Sequence, residues 1–279
     1  MSYPGIEIRD AVVAITGGGR GIGRATAAAF TALGAKVVVG DLDADAAADT
    51  AKTLGVTGKK LDVTSKESFG AFADEVTAEH GRIDVLVNNA GVMPLGRFLD
   101  EPDSLSKTTL DVNVWGLIHG MRAVAPGMVS RRRGHIVNIA SMAGKIPIPG
   151  MAVYNASKFA AVGLTAAVRR ELDGTGVSVS AVLPSAVRTE LSSGVPLGKG
   201  MATVDPEVIA AAVVRSVRSR RAEIPVPGYL GVWDLLAAVV PEPVMRFGRR
   251  LARDDRALTQ MDHEVRAAYE RRVAGQSGE

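Results

Sequence analysis

The chain has 279 residues, 47% hydrophobic and 23% charged, enough to bury a sizeable core as one large α/β domain or two small ones. Its net charge of +3 and its 4% aromatic content include no basic stripe with interleaved rings, so nothing points to nucleic acid. It has no cysteine, which excludes disulfides, thiolate catalysis and Cys-based metal sites.

The predicted elements alternate. Residues 11–16 (AVVAIT) read as a buried strand, 21–33 as an alanine-rich helix ended by Gly34, and 36–40 as a second strand. A helix over 44–54 leads to a short strand over 56–61, and a helix over 65–80 opens on SKES. A fourth strand follows at 83–88, one or two helical stretches at 105–130, and a fifth strand at 135–140. A long helix over 152–173 precedes a sixth strand at 177–183 and a short seventh at 223–226. Arg131, Arg132 and Arg133 read as a solvated helix end whose charge suits the helix dipole.

Short strands separated by helices imply a parallel sheet with right-handed crossovers. Strand cores apolar on both faces require helices on both sides of it. A single Rossmann-type, doubly wound α/β domain is therefore expected over 1–228. The tail over 229–279 is apolar, then basic, then polar and helical, and its apolar part is too short to span a bilayer. It reads as a helical C-terminal extension packed on the domain or on a second subunit, where it could add to an interface or cover the active site, with a membrane-surface contact as the less favoured role. The N-terminus lacks a basic segment followed by an apolar core, so a cytoplasmic protein is expected. His80, His119, His135 and His263 are scattered without metal-ligand spacing, and no metal is expected.

Two constellations carry chemistry. The first is TGGGRGIG over 16–23, between the first strand and the first helix. Gly17, Gly19, Gly21 and Gly23, with Arg20 and Ile22, suit a tight turn whose amides and helix N-terminus approach a pyrophosphate. Asp41, closing the second strand, can accept both ribose hydroxyls of NAD and would repel a 2′-phosphate. It could instead cap the next helix, a role also open to Asp43. Arg20 argues for NADP, since a guanidinium can meet a phosphate; NAD is favoured and NADP kept open. Asp62 and Val63, then Asn89, Ala90 and Gly91, end the third and fourth strands, where open α/β sheets bind ligands.

The second constellation is Tyr154, Lys158 one helical turn on, and Ser141 upstream. A nearby ammonium favours the phenolate, and the serine hydroxyl can hold a carbonyl or alcohol oxygen. Apolar segments 93–95 and 142–151, and a glycine-bearing lid expected over 190–204, suggest a hydrophobic substrate.

Together TGGGRGIG, NNAG (88–91), Asn113 in NVWG, Ser141, YNASK (154–158) and PSAVRT (184–189) resemble the short-chain dehydrogenase/reductase family, in its order, over about residues 10–190. The resemblance implies a seven-stranded parallel sheet in the order 3-2-1-4-5-6-7. It implies a catalytic set in which Tyr154 is the acid/base and Ser141 positions the substrate oxygen. Lys158 lowers the tyrosine pKa and binds the nicotinamide ribose, while Asn113 holds a water that connects the lysine to solvent. Pro184, Val187 and Thr189 would line the nicotinamide end, and a homodimer or homotetramer is expected. One departure is Ser185, where the family usually has glycine. The resulting expectation is reversible hydride transfer between a hydrophobic secondary alcohol or ketone and a nicotinamide cofactor. The alternatives are an NADP-dependent carbonyl reductase and a non-catalytic dinucleotide-binding regulatory protein.

Overall fold

The computed structural model describes residues 3–195, 203–232 and 261–275. Its first half runs β1 (Val12–Thr16), α1 (Gly21–Ala32), β2 (Lys36–Asp41), α2 (Ala44–Leu54), β3 (Thr57–Lys60), α3 (Lys66–His80) and β4 (Val85–Asn88). Next come α4 (Asp103–Leu110), a π-helical turn at Asp111–Trp115, α5 (Gly116–Ser130), β5 (Gly134–Ile139), α6 (Ala152–Glu171) and β6 (Val177–Pro184). The short strands β7 (Ala186–Val187) and β8 (Thr203–Val204) pair with each other. They precede α7 (Pro206–Ser219), β9 (Glu223–Val226) and α8 (His263–Ala274).

Seven strands form one parallel sheet in the order β3-β2-β1-β4-β5-β6-β9. This is the expected order, with β9 as the seventh main strand. The register explains why strand sequences are continuously apolar. Val12 and Ala14 face a core with Phe69, Phe72, Leu117 and Met121 from α3 and α5. Val13 and Ile15 face Phe30, Ile209 and Val213 from α1 and α7. Each strand thus buries both faces.

Helix starts follow local chemistry. Asp43 caps α2 by accepting from Ala46 N, and Ser65 caps α3 by accepting from Ser68 N. Helix α1 has no side-chain cap at Arg20. Helix α7 is an element the sequence reading does not include, although Asp205-Pro206 is a sound helix start with proline in the first turn. Of the expected lid, 190–195 holds a 3₁₀ turn at Glu190–Ser192 and 203–204 forms β8, while 196–202 lie outside the described residues. In the tail, the apolar and basic stretches over 233–260 also lie outside them. Among the described residues, no helix is long and apolar enough to cross a membrane.

Candidate active site

The carboxyl ends of the strands open onto one cavity of about 830 Å³. Its floor is the glycine loop. Gly17 has φ +63° and lies against the fourth-strand motif: a Cβ there would come 2.9 Å from Ala90 Cα. Gly23 is as constrained, since a Cβ would sit 2.1 Å from Gly17 O. Asn89 Nδ2 donates to Thr16 O and Gly17 O, both at 2.9 Å, while Thr16 Oγ1 accepts from Asn89 N and Ala90 N. The two motifs therefore brace each other, which holds the uncapped N-terminus of α1 toward the cavity. Unpaired amides at a helix start, on the positive end of its dipole, form an anion site.

At the end of β2, Asp41 Oδ2 accepts from Gly19 N at 2.9 Å and Oδ1 from Asp43 N at 3.1 Å. The capping role belongs to Asp43, leaving Asp41 on the cavity wall. Arg20 also lines the cavity, but its guanidinium is paired with Asp43 at 2.6 Å. Asp62 Oδ1 accepts from Thr64 N and Thr64 Oγ1, tightening the turn after β3, and Asp62 and Val63 face the same space. Gly21, Ile22, Gly91, Pro184, Val187 and Thr189 line it too. Gly19, Gly23 and Asn113 stand behind the wall.

Tyr154 and Lys158 lie on one face of α6 and are both buried, with Lys158 Nζ 5.6 Å from the Tyr154 ring centroid. Lys158 Nζ donates to Ile139 O at 3.0 Å. Burial pushes the Tyr154 phenol up to about 12, opposed by its hydrogen bond with Ser141 and reinforced by the nearby Tyr269. Burial pushes the Lys158 ammonium down to about 8. The expected drop in the phenol pKa is thus reversed here, because desolvation outweighs the Ser141 hydrogen bond. Ser141 Oγ also accepts from Ala143 N, the first bond of the 3₁₀ turn after β5.

Asn113 sits in the π-helical turn between α4 and α5. Its Oδ1 accepts from Val92 N, and its Nδ2 donates to Val92 O and Ser157 Oγ, all within 3.0 Å. Ser157 Oγ donates on to Tyr154 O. Asn113 therefore ties the loop after β4 to the helix that carries Tyr154 and Lys158. A Cβ on Gly91 would approach Asn113 Oδ1 at 3.2 Å and Lys158 Nζ at 3.7 Å, so the three are neighbours.

The model of the short chain dehydrogenase family matches residues 11–199. The chain belongs to that family. Among curated relatives, the "probable oxidoreductase EphD" of Mycobacterium tuberculosis is 40% identical over 188 residues, 65% of this chain and 32% of EphD. The chain thus spans about a third of the length of this first relative. Dehydrogenase/reductase SDR family member 7B of Xenopus tropicalis is 31% identical over 276 residues, covering 91% of this chain and 89% of the relative. Among solved structures, a short chain dehydrogenase/reductase from Burkholderia phymatum in complex with NAD superposes with a TM-score of 0.76 at 29% identity. It covers 83% of this chain and 93% of that one.

In this short-chain dehydrogenase the site extends beyond the family motifs. The segment after Ser141 contributes Ile146, Ile148 and Met151 to the wall, and Asn155 Nδ2 donates to Ile148 O at 2.8 Å to hold it. Its one charged residue, Lys145, pairs with Glu223 at 3.0 Å. Ser185 lies outside the left-handed region, which holds the non-glycine residues Asp10, Arg132 and Arg220. Its backbone N donates to Val226 O at 2.8 Å, so serine replaces the usual glycine there without a left-handed backbone. Three wall residues come from α8: Tyr269, Arg272 and Val273. The sequence reading saw that segment as a polar helix in a tail that could cover the active site, and singled out none of these residues.

Proposed function

We propose that this short-chain dehydrogenase interconverts a hydrophobic secondary alcohol and its ketone with NAD, Tyr154 being the proton-transfer group. The observation that carries this reading is one cavity shared by the braced glycine loop, Asp41 and the buried Ser141, Tyr154 and Lys158. The residues fit the cofactor. Gly17, Gly19, Gly21, Ile22 and Gly23 present the uncapped α1 N-terminus to a pyrophosphate. Asp41 would offer a carboxylate to the adenosine ribose, Asp62 and Val63 would flank the adenine, and Asn89, Ala90 and Gly91 would line the middle. Pro184, Val187 and Thr189, with Tyr154 and Lys158, would hold the nicotinamide end. When bound, the nicotinamide supplies or accepts the hydride.

The chain's own residues handle the proton. In reduction Tyr154 Oη gives its proton to the substrate oxygen as that oxygen becomes a hydroxyl; in oxidation it takes the proton back. Ser141 Oγ holds the same oxygen. Lys158 stabilises the phenolate, and Asn113 fixes the distance between the loop after β4 and α6. Asp41 and the engagement of Arg20 by Asp43 support NAD over NADP, since a 2′-phosphate would meet a carboxylate with no uncommitted guanidinium beside it. Apolar walls at Met93, Ile146, Ile148, Met151 and Leu191 support a hydrophobic substrate.

We read residues 1–228 as the catalytic body and 229–279 as its extension. Exposed Leu110, Trp115 and Phe159 on the outer elements α4 to α6 support self-association as a homodimer or homotetramer. The test is a panel of alcohols and ketones with both cofactors, read by nicotinamide absorbance, together with titration of NADH and NADPH. Turnover of apolar ketones and tighter NADH binding are expected. Tighter NADPH binding would replace the reading by an NADP-dependent carbonyl reductase. Tight cofactor binding with no turnover across the panel would favour a non-catalytic dinucleotide-binding protein.

A further inference from the structure

Helix α8 places Arg266, Tyr269 and Val273 on one buried stripe at helical spacing. An arginine in such a stripe is costly unless its donors find partners; Nε makes no hydrogen bond and lies 3.5 Å from Glu270 Oε1, and the two Nη groups make the contacts. Here Arg266 has no exposed surface and its guanidinium closes several chain segments at once. Nη1 donates to Leu191 O at 3.2 Å and Ser193 O at 2.9 Å, and Nη2 donates to Met93 O. One turn on, Tyr269 Oη accepts from Met93 N at 2.7 Å. Both main-chain polar groups of Met93 are therefore satisfied by one face of α8. Arg266 also stacks on the Tyr269 ring, 4.8 Å from its centroid.

The helix is locked at its start as well. Asp262 N donates to Gly194 O at 2.8 Å, and a Cβ on Gly194, whose φ is +73°, would strike Asp262 O at 2.5 Å. Arg272 pairs with Glu190 at 2.8 Å. Met93 packs with Tyr154, Met151 and Ala143 in one apolar cluster, with Leu191 against it. Thus α8 grips two segments of the substrate end, the loop after β4 and residues 190–193, and both reach the catalytic tyrosine. The Tyr269 ring lines the cavity, and its own hydroxyl proton has no acceptor among the described residues.

We propose that α8 is the closing wall of the substrate site, with Tyr269 contacting the substrate and Arg266 the positioning residue behind it. This rests on the reading of Tyr154 as the proton-transfer group. The guanidinium fork suits the task because it reaches three carbonyls from one fixed plane, which an ammonium does not. In this role α8 sets affinity for the substrate and leaves the cofactor end untouched.

The test compares the full-length wild type with Arg266→Met, Arg266→Lys and Tyr269→Phe. Hydrogen exchange by mass spectrometry follows peptides over 92–95, 190–195 and, as an internal reference, 16–23. Steady-state kinetics use propyl pentyl ketone with NADH, and NADH affinity is measured by fluorescence titration. Arg266→Met is expected to speed exchange in the first two peptides and not in the third. It should raise KM for the ketone about tenfold or more, with NADH Kd within about threefold of wild type. Arg266→Lys should fall between it and wild type. Unchanged exchange at 92–95 and 190–195, or KM and NADH Kd rising together, would overturn the proposal. Where Arg266→Met does not fold, Tyr269→Phe, which keeps the ring and removes the hydroxyl that accepts from Met93 N and faces the substrate, is read by the same criteria. A wild type inert toward the ketone would count against the Tyr154 reading, and the exchange comparison would still decide the role of α8.

Discussion

Burial moves Tyr154 and Lys158 in opposite directions, to about 12 and about 8, because it penalises whichever form carries charge. Lys158 Nζ lies 5.6 Å from the Tyr154 ring centroid, so the protons on the two groups together define the state of the site. Below pH about 8 the pair holds both protons, the state that reduction needs. Losing one proton gives a population that includes phenolate beside ammonium, the state that oxidation needs. Oxidation should therefore rise about tenfold per pH unit up to about 8 and then level off. Reduction should be flat below about 8 and decline above it. Lys158→Met should remove the inflection near 8, leaving only the tyrosine, whose own titration near 12 lies beyond the working range. Profiles of kcat/KM in both directions, for wild type and variant, check this. An inflection that stays near 8 in Lys158→Met would assign it to another group.

At the scale of elements, the site depends on what holds the strand ends together. Asn113 supplies three hydrogen bonds from a π-helical turn, an interruption that aims its amide at Val92 and Ser157 and not along its own helix. Asn113→Ala should cost about 2–3 kcal/mol in urea unfolding, since it strands two buried main-chain groups. It should also lower kcat, because α6 and the loop after β4 lose their common tie. A change under about 0.5 kcal/mol would show that water replaces the amide.

Much of this architecture is legible in sequence, for physical reasons. Strands buried on both faces must be apolar throughout, so AVVAIT, KVVVG and HIVNIA announce themselves. The glycine loop is legible because close approach of Gly17 to Ala90 and of Gly23 to Gly17 O leaves room for nothing larger. The cap at Asp43, which frees Asp41, follows from its position ahead of α2. What stayed hidden depends on distant partners. Tyr269 gains meaning only through Met93, 176 residues away. Arg266 occupies a core position with a charged residue, so α8 reads as a solvated helix. The raised phenol pKa was also out of reach, because spacing reveals the neighbouring cation and not the depth of burial.

Across the whole molecule, His135 joins the sheet to the helical layer beside it. It is fully buried on β5, with Nδ1 2.9 Å from Ser178 Oγ on β6 and Nε2 2.9 Å from Ser216 Oγ on α7. Burial, with Arg220 nearby, holds its pKa well below the usual histidine value. The folded chain therefore refuses a proton that the unfolded chain takes up near pH 6.5. The sign follows: stability is fully present above about pH 6.5 and is lost as pH falls below it, by up to about 1.4 kcal/mol per unit from this residue. Urea unfolding at about pH 7 and about pH 5 should show a smaller acid loss in His135→Gln than in wild type. Equal losses would assign the acid sensitivity elsewhere.

The fold, the braced glycine loop and the buried Tyr154–Lys158 pair support one central proposal, that this short-chain dehydrogenase moves a proton through Tyr154. The most direct measurement is turnover of Tyr154→Phe on the best ketone from the panel, with NADH Kd determined on the same preparation. Removing the proton donor should cost about 10²–10⁴-fold in kcat, while NADH Kd stays within about threefold. Full turnover by the phenylalanine variant, with cofactor binding intact, would contradict the account.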